Sequence, residues 1–273
     1  MRGESVRSIS PGLILAAHVL CFWPIWHWYV ARMTDGSDEP WGIAALIAAL
    51  LLTWRNPRTW TLRTDDRLLW GAVLLTFGYV AAVPSAPPLV RAALAMAALA
   101  CSWVSITNVR SKLAAVTVMF ALSLPVIASL QFYLGYPLRS ITTAGAALTL
   151  DLLRFDVERS GTALLWQEHT VLVDAPCSGV RMLWTGAALA CAVALHRDAI
   201  GWRSLVALLV LTSAAALFAN VLRAAALFVV ETRDSPLPEL IHPTVGAATF
   251  ALTAVSIVLI ESALRRMTPT AHA

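Results

Sequence analysis

Cys177 stands in a turn, Ala175-Pro176-Cys177-Ser178-Gly179, just ahead of an apolar run. Pro176 cannot extend a preceding helix, and Gly179 lets the backbone come close to a neighbour. A helix starting here points its free N–H groups and positive dipole end at the sulfur, which favours the nucleophilic thiolate. Arg181, four residues on, shares that side. The other cysteines, Cys21, Cys101 and Cys191, lie within apolar runs, where a thiol is a small hydrophobe. Arg223 sits late in another run, Asn220-Val221-Leu222-Arg223-Ala224, three residues from Asn220 and so on its helix face. An ionisable residue in such a run is costly and marks a function. His242, in Ile241-His242-Pro243-Thr244, opens the last apolar run; Pro243 suits a first turn and so places His242 near the N-cap. Taken singly, a buried turn cysteine, a snorkelling arginine and an interfacial histidine would account for the three. Taken together, they suffice for acyl transfer: a thiolate attacks, an imidazole moves the proton, and a cation holds the oxyanion or the substrate.

Four further residues could assist. The N–H groups of Ser178 and Gly179 are candidates for an oxyanion hole, Arg181 for holding a substrate carboxylate or tuning the thiol, and Asn220 for orienting His242 or Arg223. Asp174 either orients a base or caps the turn. The remaining histidines, His18, His27, His169, His196 and His272, have no metal-ligand spacing with each other or with the cysteines. Neither a metal nor an organic cofactor is expected.

The elements that must position these groups follow from composition. Of 273 residues, 59% are hydrophobic and 13% charged, about half the charged share of a soluble domain. Mean hydropathy is +0.72. These values exclude a soluble domain and a disordered chain, and four cysteines are too few for a disulfide scaffold. An all-α integral membrane protein remains. Eight apolar segments are predicted as spans: 11–30, 41–54, 68–83, 89–107, 113–134, 180–195, 204–230 and 241–260. The first, with Trp23, Trp26 and Trp28 at its end, reads as a retained signal anchor with an interfacial belt. Residues 135–176 form a mixed extracytoplasmic segment, with an amphipathic surface helix expected at 141–153 and a short strand or hairpin arm at 166–174. No internal repeat or linker divides the chain, so a single transmembrane domain over 1–273 is expected.

With the N-terminus cytoplasmic, the inner ends hold 12 of the 20 basic residues (Arg2, Arg7, Arg55, Arg58, Arg63, Arg67, Arg110, Lys112, Arg197, Arg203, Arg265 and Arg266) and the outer loops hold five (Arg32, Arg139, Arg154, Arg159 and Arg233). That bias supports eight spans with both termini inside. It also accounts for the net charge of +4 without nucleic acid, for which no basic, aromatic-interleaved patch exists. The topology rests on loop charges alone, yet it carries Cys177, Arg223 and His242 to the same, outer surface.

At these residues the chain resembles the exosortase/archaeosortase family of integral-membrane transpeptidases. The matching elements are Ala175-Pro176-Cys177-Ser178-Gly179, Asn220-Val221-Leu222-Arg223, and His242 followed by Gly246 and Phe250, in that order. The resemblance is strongest over 115–260. It implies that Cys177 is the nucleophile, Arg223 the essential arginine and His242 the third member. It implies partners too: exported proteins with a C-terminal tail made of a short motif such as Pro-Glu-Pro, a transmembrane helix and a basic cluster. Cleavage near the motif would pass through a thioester to an acceptor, in a bacterial inner membrane, with the site facing the periplasm and a link to exopolysaccharide loci. Pro176 suggests a divergent subfamily, expected to be one without a soluble C-terminal domain. The competing reading is a non-catalytic membrane binding or transport protein with Arg223 as counter-ion to an anionic substrate or lipid. A structural subunit of a polysaccharide exporter is a third reading, but it gives Cys177 and His242 no purpose.

Overall fold

The structure, a computed structural model, describes residues 11–34, 41–54, 66–197, 201–232 and 238–267. Arg2, Arg7, Arg55, Arg58, Arg63 and Arg233, which enter the loop-charge argument, lie outside the described residues, as does His272. The chain divides into two compact units, Met1–Val126 with Ala194–Trp202, and Ile127–Val193 with Arg203–Ala273.

The first unit holds α1 (Pro11–Cys21), α2 (Trp23–Thr34), α3 (Trp41–Thr53), α4 (Asp66–Ala82), α5 (Pro88–Thr107) and α6 (Leu113–Leu122). The first apolar segment is not one helix: α1 and α2 meet at Phe22 with a 65° bend. Pro24 is the cause, since it offers no N–H to the preceding turn and its ring crowds the carbonyl four residues back. α5 packs against α4, α6, α1 and α2. It does so through small buried residues, Ala92, Ala95, Ala98 and Ala100 among them. Polar groups are paired between helices where Trp103 Nε1 donates to Thr53 Oγ1 at 2.8 Å and the half-buried Tyr29 Oη to Ser123 O at 2.9 Å.

The second unit holds α7 (Ile127–Leu152), β1 (Glu158–Ser160), β2 (Ala163–Trp166), β3 (His169–Leu172), α8 (Val180–His196, whose last turn belongs to the first unit), α9 (Trp202–Glu231) and α10 (Pro238–Met267). The predicted span 113–134 and surface helix 141–153 are redistributed. α6 stops at Leu122, and the 26-residue α7 runs through the rest of both. Pro125 imposes the break, because it lacks an N–H and drives Leu124 out of the helical region. The strand expected at 166–174 is present within an antiparallel sheet of order β1-β2-β3, with Leu164 paired to Val171. Gln167, at φ 52°, makes the tight turn between β2 and β3. The sheet's inner face rests on helices: Leu164 packs with Ala146 and Leu150 of α7 and Phe228 of α9, and Trp166 meets Phe228 edge-on. That anchorage fixes the strand from which the Cys177 turn departs.

Among the described residues three helices are long and apolar enough to cross a membrane, or up to five if each bent pair counts as one span; α3, α4 and α8 are shorter apolar helices.

Candidate functional site

Cys177 closes a 3₁₀ turn, Ala175–Cys177, in which its N–H donates to Asp174 O at 2.9 Å. Gly179 then takes φ +87° and α8 begins at Val180, so the thiol stands just ahead of the helix. A Cβ at Gly179 would lie 3.0 Å from Asn220 Nδ2 and 3.2 Å from Asn220 Cγ. Glycine is required there twice over, for its left-handed backbone and for its missing side chain.

Two amides hold this turn. Asn220 of α9, 1% exposed, donates from Nδ2 to Cys177 O at 2.9 Å and to Thr142 Oγ1 of α7 at 3.0 Å. Gln131 of α7 accepts from Ser178 Oγ at 2.9 Å and donates from Nε2 to Ala175 O at 3.2 Å. Asn220 Nδ2 is thus taken up by the Cys177 carbonyl and Thr142, and among the described residues Asn220 makes no hydrogen bond to His242 or Arg223, which the sequence offered as its partners. Gln131 and Thr142 escaped the sequence reading. The available signal was a lone amide in an apolar run, with Thr142 eleven residues on, three helical turns along the same face.

Arg223 follows Asn220 by one turn. Its Nε is buried and has no hydrogen-bond partner among the described residues. The guanidinium lies against α10, 3.8–3.9 Å from where a Cβ of Gly246 would stand. His242 precedes Gly246 by one turn on that face and is exposed. α10 starts at Pro238, not at Pro243, so His242 is in the second turn and not at the N-cap. Pro238 takes the first-turn place that suits proline, and Pro243, so near the helix end, forfeits only one backbone bond.

Burial pushes the Cys177 thiol above its usual range; the Arg223 charge pulls it down, while Asp174 and Glu231 push it up. The net direction is upward, the reverse of the thiolate-favouring helix start expected from sequence. One arginine does not offset desolvation of the sulfur and two carboxylates. Arg181 is exposed on α8, and Arg223 is the arginine whose charge bears on the sulfur. Asp174 makes no side-chain capping bond. The Ser178 N–H donates to Ala175 O at 3.2 Å, so the Gly179 N–H is the stronger oxyanion-hole candidate of that pair.

The four cysteines are free thiols. Among the described residues no three His, Cys, Asp or Glu side chains are grouped to hold a metal ion. The site thus brings together Cys177, Ser178, Gly179, Asn220 and Arg223, with His242 one turn along α10 from the arginine's contact.

No curated protein and no solved structure matches the chain. The family model described as transmembrane exosortase (Exosortase_EpsH) matches residues 12–259 of the 273. The chain therefore belongs to the transmembrane exosortase family of membrane-embedded sorting transpeptidases.

Proposed function

We propose that the protein is a cysteine transpeptidase acting at the outer face of a bacterial inner membrane. Its substrate is an exported protein with a PEP-CTERM-like tail, a short motif followed by a membrane helix and a basic cluster. Cys177 gives its proton to His242, and Sγ attacks the scissile carbonyl carbon. The Arg223 guanidinium and the Gly179 N–H stabilise the oxyanion. The amide C–N bond breaks as His242 returns the proton to the departing amine, leaving a thioester on Cys177. An acceptor nucleophile, or water, then attacks the thioester, loses its proton to His242 and restores the thiol. No metal or cofactor enters these steps.

The observation that carries this reading is Arg223. A buried guanidinium N–H without a partner among the described residues, whose charge acts on the Cys177 sulfur, is ready for an oxygen that becomes negative beside that sulfur. Family membership supports the reaction class, and the loop charges support the orientation.

The test is processing of an exported reporter bearing a sorting tail from the same genome, in membranes where each variant accumulates normally. Cys177→Ala abolishes tail loss, and Cys191→Ala leaves it intact. Arg223→Ala lowers the rate by about 10²-fold or more. His242→Ala lowers it by about 10²- to 10⁴-fold. Unchanged processing in Cys177→Ala, with Arg223→Ala defective, would favour the non-catalytic reading in which Arg223 is a counter-ion.

A further inference from the structure

The sheet beside the site ends in a free edge. In the order β1-β2-β3, β3 pairs with β2 alone. Its register sets Trp166 opposite His169 across the turn and Leu164 opposite Val171, and Val173 N–H donates to Thr162 O at 3.0 Å. Hydrogen-bonded positions alternate along an antiparallel ladder, so His169, Val171 and Val173 address β2. The N–H and C=O groups of Thr170 and Leu172 point the other way, and among the described residues no backbone takes them. α7 lies against β1 and β2. Thr170 is exposed, and Leu172 is 61% exposed. Proteins usually blunt such an edge with a lysine, a proline or a bulge. β3, His169-Thr170-Val171-Leu172, carries none of these.

What distinguishes this edge is where it leads. Val173 is still hydrogen-bonded to the sheet, and Cys177 is four residues further on. Because Ala175–Cys177 is a 3₁₀ turn and not extended chain, a strand added along β3, at about 3.3 Å per residue, needs at most about five more residues to reach the sulfur. A thiol that opens a peptide bond needs that bond in an extended, unpaired chain, and β3 offers the backbone groups that hold a chain in that form. We infer that the free edge of β3 docks an extended segment of the substrate, on the N-terminal side of its scissile bond, as a fourth strand. Main-chain bonds to Thr170 and Leu172 set its register, and Leu172, on the same face as Thr170, provides an apolar contact for one side chain. This inference rests on the thiol reading of Cys177.

Leu172→Pro removes an outward N–H that the ladder does not use, so the hairpin tolerates it as an edge proline. Leu172→Ala removes the same side chain and keeps the N–H. The inference expects Leu172→Pro to slow tail processing by about tenfold or more and Leu172→Ala by about twofold at most. Wild-type alkylation of Cys177 by a small maleimide in Leu172→Pro establishes that the thiol turn is intact. A photo-cross-linking residue at position 170, in the Cys177→Ala chain, is expected to capture the reporter just before its membrane helix. Wild-type processing in Leu172→Pro overturns the inference, as does a cross-link only to a second copy of this chain, or none. If Cys177→Ala still processes the reporter, the thiol reading fails, and the cross-link at position 170 still decides the fate of the edge.

Discussion

At the scale of single residues, burial first and then charge set the titration of Cys177. Arg223 is the group that draws the thiol down, so Arg223→Gln moves its titration to higher pH. Asp174 and Glu231 push the thiol up, so Asp174→Asn and Glu231→Gln move it to lower pH. The pH dependence of alkylation, in a chain with Cys21, Cys101 and Cys191 replaced by Ala, reads all three signs. Asn220→Ala leaves the Cys177 carbonyl and the Thr142 hydroxyl without their donor, costing about 1–3 kcal/mol. The loss appears as a lower melting temperature and slower processing, and Asn220→Asp does not restore them, because a carboxylate cannot donate. Gln131 leans over Gly135, where a Cβ would stand 2.7 Å from its Nε2. Gly135→Ala therefore weakens processing as Gln131→Ala does, and the double variant is no worse than either, since both remove the same clamp. Cys177, Arg223 and His242 could be singled out as candidates because each is a chemical type out of place in its surroundings. Gln131 was not, because its partners lie 44 and 47 residues away, and its helical spacing to Thr142 says nothing of them.

At the scale of elements, glycines mark where helices touch. A Cβ on Gly42 of α3 would run into the backbone carbonyl of Ser123, whereas one on Gly71 of α4 meets nothing within 4 Å. Gly42→Ala lowers the melting temperature in detergent, and Gly71→Ala leaves it unchanged or raises stability by about 0.4–1 kcal/mol. Prolines illustrate what sequence alone leaves open. Pro24 and Pro125 separate helices, whereas Pro137 and Pro243 lie inside α7 and α10. The residue type is the same in all four. Whether neighbouring turns bridge the missing bond depends on packing, which an apolar run does not encode. Hence most segment centres were readable, while the join between α1 and α2 and the extent of α7 were not. The strand before Cys177 was readable because alternation in His169-Thr170-Val171-Leu172-Val173 is a local signal.

At the scale of the whole molecule, orientation is the open quantity that loop charge addresses. If both termini face the cytoplasm, Glu158 of β1 and Arg266 near the end of α10 lie on opposite sides of the membrane. Glu158→Cys, in a chain otherwise free of cysteine, is labelled by a membrane-impermeant maleimide in cells whose inner membrane is intact. Arg266→Cys is labelled only after that membrane is opened. The reverse pattern would invert the orientation and place the Cys177 turn in the cytoplasm. Eight spans were read from hydropathy because the window registers apolar length, not continuity. α3, α4 and α8 are short, and Pro24 and Pro125 cut two segments, so among the described residues length alone supports three to five.

The raised thiol of Cys177 has a consequence for its lifetime. Oxidants such as peroxide attack the thiolate, and sulfenic acid forms in proportion to it. Burial, Asp174 and Glu231 push this sulfur toward the protonated form against the pull of Arg223, and the protonated form reacts slowly with them. If Cys177 is the nucleophile proposed above, the same protonation shields it at rest and obliges it to lose its proton anew in every turnover. Exposure to peroxide should consequently inactivate Asp174→Asn faster than wild type and Arg223→Gln more slowly in the alkylatable-thiol assay.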